Sequence, residues 1–162
     1  KTFNVKFNSL TKTINFAVSK IQTSYFSRID PDDQFHPQFF NNIIKNYINK
    51  GFDLVYGDLI NKKKNKFKYV NQYKDKYFKY FSHPLSNGTL IKKNKFQEIG
   101  GLNEKLHFKD DFDMWLKLIN SKSTIKYVNS PTFIYNRHDN NMSNNIIKKK
   151  LTYFNLLIKN FL

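Results

Sequence analysis

Hydrophobic positions recur with a helical period in several stretches of the chain and alternate with short apolar runs between them. Leu10, Ile14, Phe16, Ala17, Val18 and Ile21 fall roughly on one stripe, with Ser9 or Thr11 placed to cap it, so this spacing predicts a helix. Tyr25–Ile29 is short, aromatic and β-prone, and it runs straight into Asp30-Pro31-Asp32-Asp33. That pattern predicts a strand ending in carboxylates. Pro37 opens a second helix with Phe39, Phe40, Ile43, Ile44, Tyr47 and Ile48 at helical spacing and Gly51 as its stop. Phe52–Gly57 reads as a strand followed by Asp58, whereas residues 61–79 are rich in Lys and Tyr without a period and read as a mobile, irregular excursion.

Order returns with a strand at Leu90–Lys92 and a helix at Asn94–Ile99 that stops at Gly100-Gly101. Asp110–Asn120 is the clearest helix, because Phe112, Trp115, Leu116 and Ile119 follow the i, i+3, i+4, i+7 template. Thr124–Val128 and Thr132–Tyr135 read as two further strands, and Asn144–Leu162 as a basic amphipathic helix. Alternating strands and helices favour an α/β layer fold, and no internal repeat is present.

Composition changes this picture only in part. A chain of 162 residues with 40% hydrophobic and 17% aromatic side chains can bury a core as one domain. Its 28 basic against 12 acidic side chains leave a charge of +16, which suits an anionic partner: nucleic acid, anionic lipid or a phosphorylated substrate. Lys and Asn are spread throughout, however, so biased composition over a solvated surface is the favoured account of the charge. The absence of Cys excludes disulfides and thiolate metal sites. No apolar run approaches the ~20 residues of a membrane span.

The first residues, Lys1-Thr2-Phe3-Asn4, include no Met and no signal-peptide core, which makes a cytoplasmic setting the default. The missing Met is also what an interior or C-terminal piece of a longer chain would show. In the last helix Ile146, Ile147, Leu151, Phe154, Leu157 and Ile158 oppose Lys148–Lys150 and Lys159. Such a helix can lie peripherally on an anionic membrane or pack on the domain's flank, and packing is the favoured use.

Acidic residues are scarce, and two places gather them. Asp30 and Asp32 sit at a strand's carboxyl end, where ligands bind in open α/β sheets, and i, i+2 spacing can point both the same way. Pro31 between them fixes φ. Hard cations such as Mg²⁺ or Mn²⁺ are commonly held by one or two carboxylates plus substrate phosphates. The same four residues are also ordinary turn formers. The second gathering is Asp110, Asp111 and Asp113 in the first turn of a helix, after glycines at 100 and 101 that allow close approach of a ligand. Capping and the helix dipole account for two of these three acids. A remaining carboxylate could serve as general base toward a hydroxyl.

These segments, with Phe35-His36-Pro37, Leu54-Val55-Tyr56-Gly57-Asp58, Asn87–Lys92, Ile99–Glu104, Asp110–Leu118, Tyr135–His138 and Ser143 in that order, resemble family 2 glycosyltransferases of the GT-A fold. The resemblance implies a GT-A-like, Rossmann-related mixed sheet flanked by helices over residues 1–143, followed by the helix of residues 144–162. It further implies a nucleotide-sugar donor, a glycan or lipid-linked acceptor, an Mn²⁺ or Mg²⁺ cofactor, inversion at the anomeric carbon, and no specific nucleic acid. Asp30 and Asp32 match the D-x-D that binds donor ribose and, through the metal, diphosphate, and Asp33 matches a further acid there. Asp111 matches the catalytic base, His138 a metal or diphosphate ligand and Arg137 a diphosphate contact. Gly100, Gly101, Asp110 and Trp115 fall on the acceptor side, although Trp115 lies on the apolar stripe and is favoured for the core.

Asp110 stands where Glu is usual, Lys117 replaces an Arg, and Arg137 falls one place later than the pattern. The strand–helix–strand–helix unit that normally grips the base has no counterpart, so the domain reads as N-terminally truncated, a fragment or a compromised gene product. His36 and His83 flank prolines and, like His107, read as loop residues. The competing readings are a basic module for nucleic acid or membrane, and a catalytically inactive glycosyltransferase remnant.

Overall fold

A computed structural model describes residues 2–73 and 83–138, together with 151, 152, 155, 156 and 158 near the C-terminus. Helix α1 spans Leu10–Lys20 and is capped by Ser9, whose hydroxyl accepts from the Lys12 amide at 3.4 Å. Its stripe delivers Ile14 and Val18 to the core. Strand β1 (Tyr25–Phe26) and β2 (Gln34–Phe35) are brief and flank the carboxylate turn. Strands β3 (Leu54–Lys63), β4 (Lys66–Val70), β5 (Leu90–Lys92) and β6 (Ile125–Asn136) complete a six-stranded mixed sheet. The sheet order is β1-β5-β3-β6-β2, with β4 hairpinned onto β3; among the described residues only the β3–β6 pairing is parallel.

Two expectations are corrected here. The excursion predicted from residue 61 begins as a regular hairpin, β3–β4, turning at Lys64 with φ +53°. Ladder pairing holds β4, whose residues from Lys66 to Tyr69 are all exposed, so no burial pattern marks it. Residues 74–79 of that excursion lie outside the described residues. The two C-terminal strands are one, because Pro131 sits opposite Asp58 at an irregularity in the β3–β6 register. A bulge tolerates the missing amide of proline inside a strand.

The helix expected after Pro37 is wound as a π-helix over Phe40–Lys45, and Gly51 follows with φ +78°. It presents Phe39 and Ile43 to Val55 and Leu90 on one face of the sheet. Helix α2 (Lys93–Glu98) and helix α3 (Asp110–Asn120) cover the other, where Met114, Trp115 and Leu118 meet Leu54, Tyr56, Ile91 and Phe96. The opposite side of α3 sends Phe112 and Leu116 against Leu156. Leu156, from the segment predicted as the C-terminal helix, therefore packs on the flank. Ile146, Ile147, Lys148–Lys150, Phe154, Leu157 and Lys159, which the membrane reading needs, lie outside the described residues, as does Ser143. Among the described residues no helix is long and apolar enough to cross a membrane.

Candidate active site

Asp30-Pro31-Asp32-Asp33 closes a β-turn in which the Asp33 amide donates to the Asp30 carbonyl at 3.0 Å, with proline at the position its fixed φ suits. The three carboxylates then part company. Asp30 pairs with the Arg28 guanidinium and accepts from Asn87 Nδ2 at 2.9 Å. Asp33 turns inward and is buried, accepting from Asn87 Nδ2 at 2.6 Å and from the Asn136 amide at 2.9 Å. Burial pushes its carboxyl up to about 6, against those two hydrogen bonds, and the charges of Asp32 and Asp30 add to the rise. Asp32 points outward with its side chain 43% exposed, and its Oδ2 lies 2.9 Å from His138 Nε2.

The end of β6 is what clamps this turn. Asn136 Nδ2 donates to the Asp32 carbonyl at 2.6 Å while its amide holds Asp33. His138 is thereby carried to Asp32. Arg137 lies between these two residues, its amide bonded to the Lys62 carbonyl at 2.8 Å and its side chain exposed. The sequence-predicted residues Asp30, Asp32, Asp33 and His138 therefore do assemble. Asp33 also acts as a latch, each of its two oxygens accepting a hydrogen bond, from Asn87 and from Asn136.

The second acidic cluster also divides. Asp113 is buried and pairs within α3 with Lys117 at 2.8 Å, and Lys117 Nζ also donates to the Gly101 carbonyl at 3.0 Å. Lys117 is thus a brace between helix and loop. Asp110 is pushed up to about 6 by desolvation first and by the charge of Asp111 next; Arg28 opposes the rise and Asp30 adds to it. Residues 83–87 link the helix start to the carboxylate turn, with His83 Nδ1 3.6 Å from Asp111 Oδ2 and Asn87 Nδ2 donating to Asp30 at 2.9 Å. Asp111 keeps its side chain 19% exposed, accepts from the Phe112 amide through Oδ1 at 2.8 Å, and places Oδ2 3.6 Å from His83 Nδ1.

Three of the residues expected on the acceptor side have structural partners. Gly100 and Gly101 have φ +78° and +63°, and their amides donate to the Gln97 and Phe96 carbonyls at 2.9 and 2.8 Å. This is a Schellman ending for α2, which requires left-handed backbone and explains the glycines without a ligand. Trp115 is 0% exposed, stacks edge-on with Tyr56 and donates Nε1–H to the Pro84 carbonyl at 2.9 Å. It is a core residue, and no face of it is open to an acceptor.

Sequence reasoning missed Arg28 and Asn87, and it left His83 in a loop. Arg28 shares the i, i+2 relation with Asp30 that Asp32 has, a strand signal that was available. Asn87 precedes a glycine in a turn, and nothing local ties it to Asp30 or Asp33. His83 is 7% exposed beside Asp111.

For a divalent cation the exposed Asp32–His138 pair offers one oxygen and one nitrogen donor. No group of three or more His, Cys, Asp or Glu able to hold a metal occurs among the described residues. Two donors do not complete a shell, so a cation there would need substrate phosphates and water for the rest of its ligands.

A family model described as glycosyltransferase like family 2 matches residues 3–160. The chain belongs to this family. A search of curated proteins finds no match. The mixed sheet with flanking helices is that of a GT-A-like domain, and membership of the family makes the protein a glycosyltransferase and implies a nucleotide-sugar donor and an acceptor. In the glycosyltransferase the carboxylate turn, the end of β6 and the start of α3 form one neighbourhood at the carboxyl end of β1.

Proposed function

We propose that this glycosyltransferase moves a hexosyl group, with inversion and with the help of Mn²⁺ or Mg²⁺, from a nucleotide-sugar to a hydroxyl of a glycan or lipid-linked acceptor. The observation that carries the reading is the segment His83–Asn87, which touches both acidic clusters: Asn87 donates to Asp30 while His83 lies beside Asp111. Asp32 and His138 would hold the cation, which supplies Lewis-acid charge to the departing diphosphate. Asp30, its charge offset by Arg28, can take a ribose hydroxyl, and the exposed Arg137 adds positive charge beside the phosphates. Asp111 removes the acceptor proton as the hydroxyl oxygen attacks the anomeric carbon. The new C–O bond forms opposite the leaving group; the old one breaks, and its electron pair leaves on the nucleoside diphosphate.

Two substitutions in the full-length protein test this. Asp32→Ala is expected to weaken Mn²⁺-dependent donor binding in calorimetry, and unchanged affinity removes Asp32 from the metal site. Asp111→Asn is expected to cut transfer by a factor on the order of 10² to 10⁴ while donor binding persists. Retained turnover removes Asp111 as base.

A further inference from the structure

His83 packs beside the start of α3, with its ring 5.1 Å from that of Phe112. Its Nδ1 lies 2.9 Å from the Pro84 carbonyl oxygen. A carbonyl only accepts, so Nδ1 carries the proton. On the other side Lys109 Nζ, which only donates, faces Nε2 from 3.5 Å. Both neighbours therefore select the same tautomer, with Nδ1–H and a lone pair on Nε2.

The same Nδ1 is 3.6 Å from Asp111 Oδ2. This is longer than a formed hydrogen bond, as contacts at unliganded sites often are before substrate tightens them. The Pro84 carbonyl that shares the proton is itself pinned by Nε1–H of the fully buried Trp115. Asp111 is thus addressed at both oxygens, Oδ1 by the Phe112 amide at 2.8 Å and Oδ2 by an imidazole anchored to the core.

We propose that His83 is a positioning residue whose Nδ1–H, shared between the Pro84 carbonyl and Asp111 Oδ2, fixes the Asp111 carboxylate in the orientation that meets the acceptor hydroxyl. The proposal rests on the reading of Asp111 as base. It assigns His83 no proton transfer of its own. Its chemistry is that of an imidazole N–H aligning a carboxylate, the reverse of the arrangement in which a carboxylate aligns a catalytic imidazole.

Paired variants of the full-length protein test it. His83→Phe keeps a ring against Phe112 and removes the N–H; His83→Asn gives up the ring and keeps an N–H close to the position of Nδ1. His83→Phe is expected to lower kcat by about tenfold or more, the scale of a misplaced reacting group, with donor KM and melting temperature unchanged. His83→Asn is expected to retain most of kcat. A ring that only fills space predicts the opposite order, and that order, or equal loss in both, overturns the proposal. Nitrogen-15 NMR of the His-labelled wild type gives a readout independent of turnover: Nδ1–H is expected, and an Nε2–H tautomer overturns the proposal even if a variant fails to fold. Asp111→Asn, assayed alongside, separates the two ideas. If Asp111→Asn still turns over, the base assignment fails; if it is dead while His83→Phe is fully active, only the role of His83 fails.

Discussion

Asp110 and Asp111 are neighbours on one helical turn, yet their surroundings differ. Asp111 has a partly exposed carboxylate with an amide at one oxygen, whereas the Asp110 carboxyl is desolvated beside the Asp111 charge and titrates near 6. A folded-state value above the ordinary carboxylate value means that the folded protein binds the proton more readily than the unfolded one. Stability contributed by this group is therefore full at acid pH and falls as pH rises from about 4 toward 6. A rise from the ordinary carboxylate value to about 6 corresponds to roughly 2 to 3 kcal/mol. Asp110→Asn is expected to raise the urea midpoint at pH 7.5 and to leave it unchanged at pH 3.5. Equal midpoints at pH 7.5 would show that Arg28 and solvent already offset the buried charge.

At the scale of elements, the ending of α2 shows how one dipeptide can be read in two ways. A Cβ on Gly100 would meet nothing within 4 Å, while one on Gly101 would lie 2.7 Å from Asn15 Oδ1. Both positions need left-handed backbone, which costs a non-glycine residue about 1 to 2 kcal/mol. Asn15 cannot yield freely, because its amide exchanges hydrogen bonds of 2.9 Å with both the Leu102 amide and carbonyl. Gly100→Ala is expected to cost about 1 kcal/mol and Gly101→Ala at least about twice that in chemical denaturation. Equal costs would mean that Asn15 and the loop shift together.

The same element-level view explains what was legible in the sequence. The stripe of α3 and the Ser9 cap of α1 were readable because their partners lie within a turn or on a single buried face. The hairpin β3–β4 was not, since Phe67 and Tyr69 stay exposed and the tyrosine is anchored through its hydroxyl to Asp58, a link that no burial pattern signals. The carboxylate turn was found as a turn, but the inward rotation of Asp33 depends on an amide 103 residues away. His83 likewise acquires its neighbour from another element, and its flanking proline signals only a loop.

The described residues are layered so that α3 is covered on both sides, and this ties its first turns to the C-terminal segment. Trp115 and Leu118 face the sheet, while Phe112 and Leu116 face Leu156, which is 4% exposed. Phe112 matters doubly, because its amide holds Asp111 and its ring packs against His83. Leu156→Ala removes the cover from this ring and is expected to cost about 2 to 3 kcal/mol, the lower part of the range for buried leucines, since the cluster sits at the domain's flank. If the C-terminal segment supports the site through Phe112, transfer at a temperature where the variant remains folded should fall severalfold, with donor affinity kept. A stability loss without any change in kcat would confine the segment to a structural cover. The converse, lost transfer at unchanged stability, would imply that Leu156 reaches the reaction by a route other than the packing of Phe112.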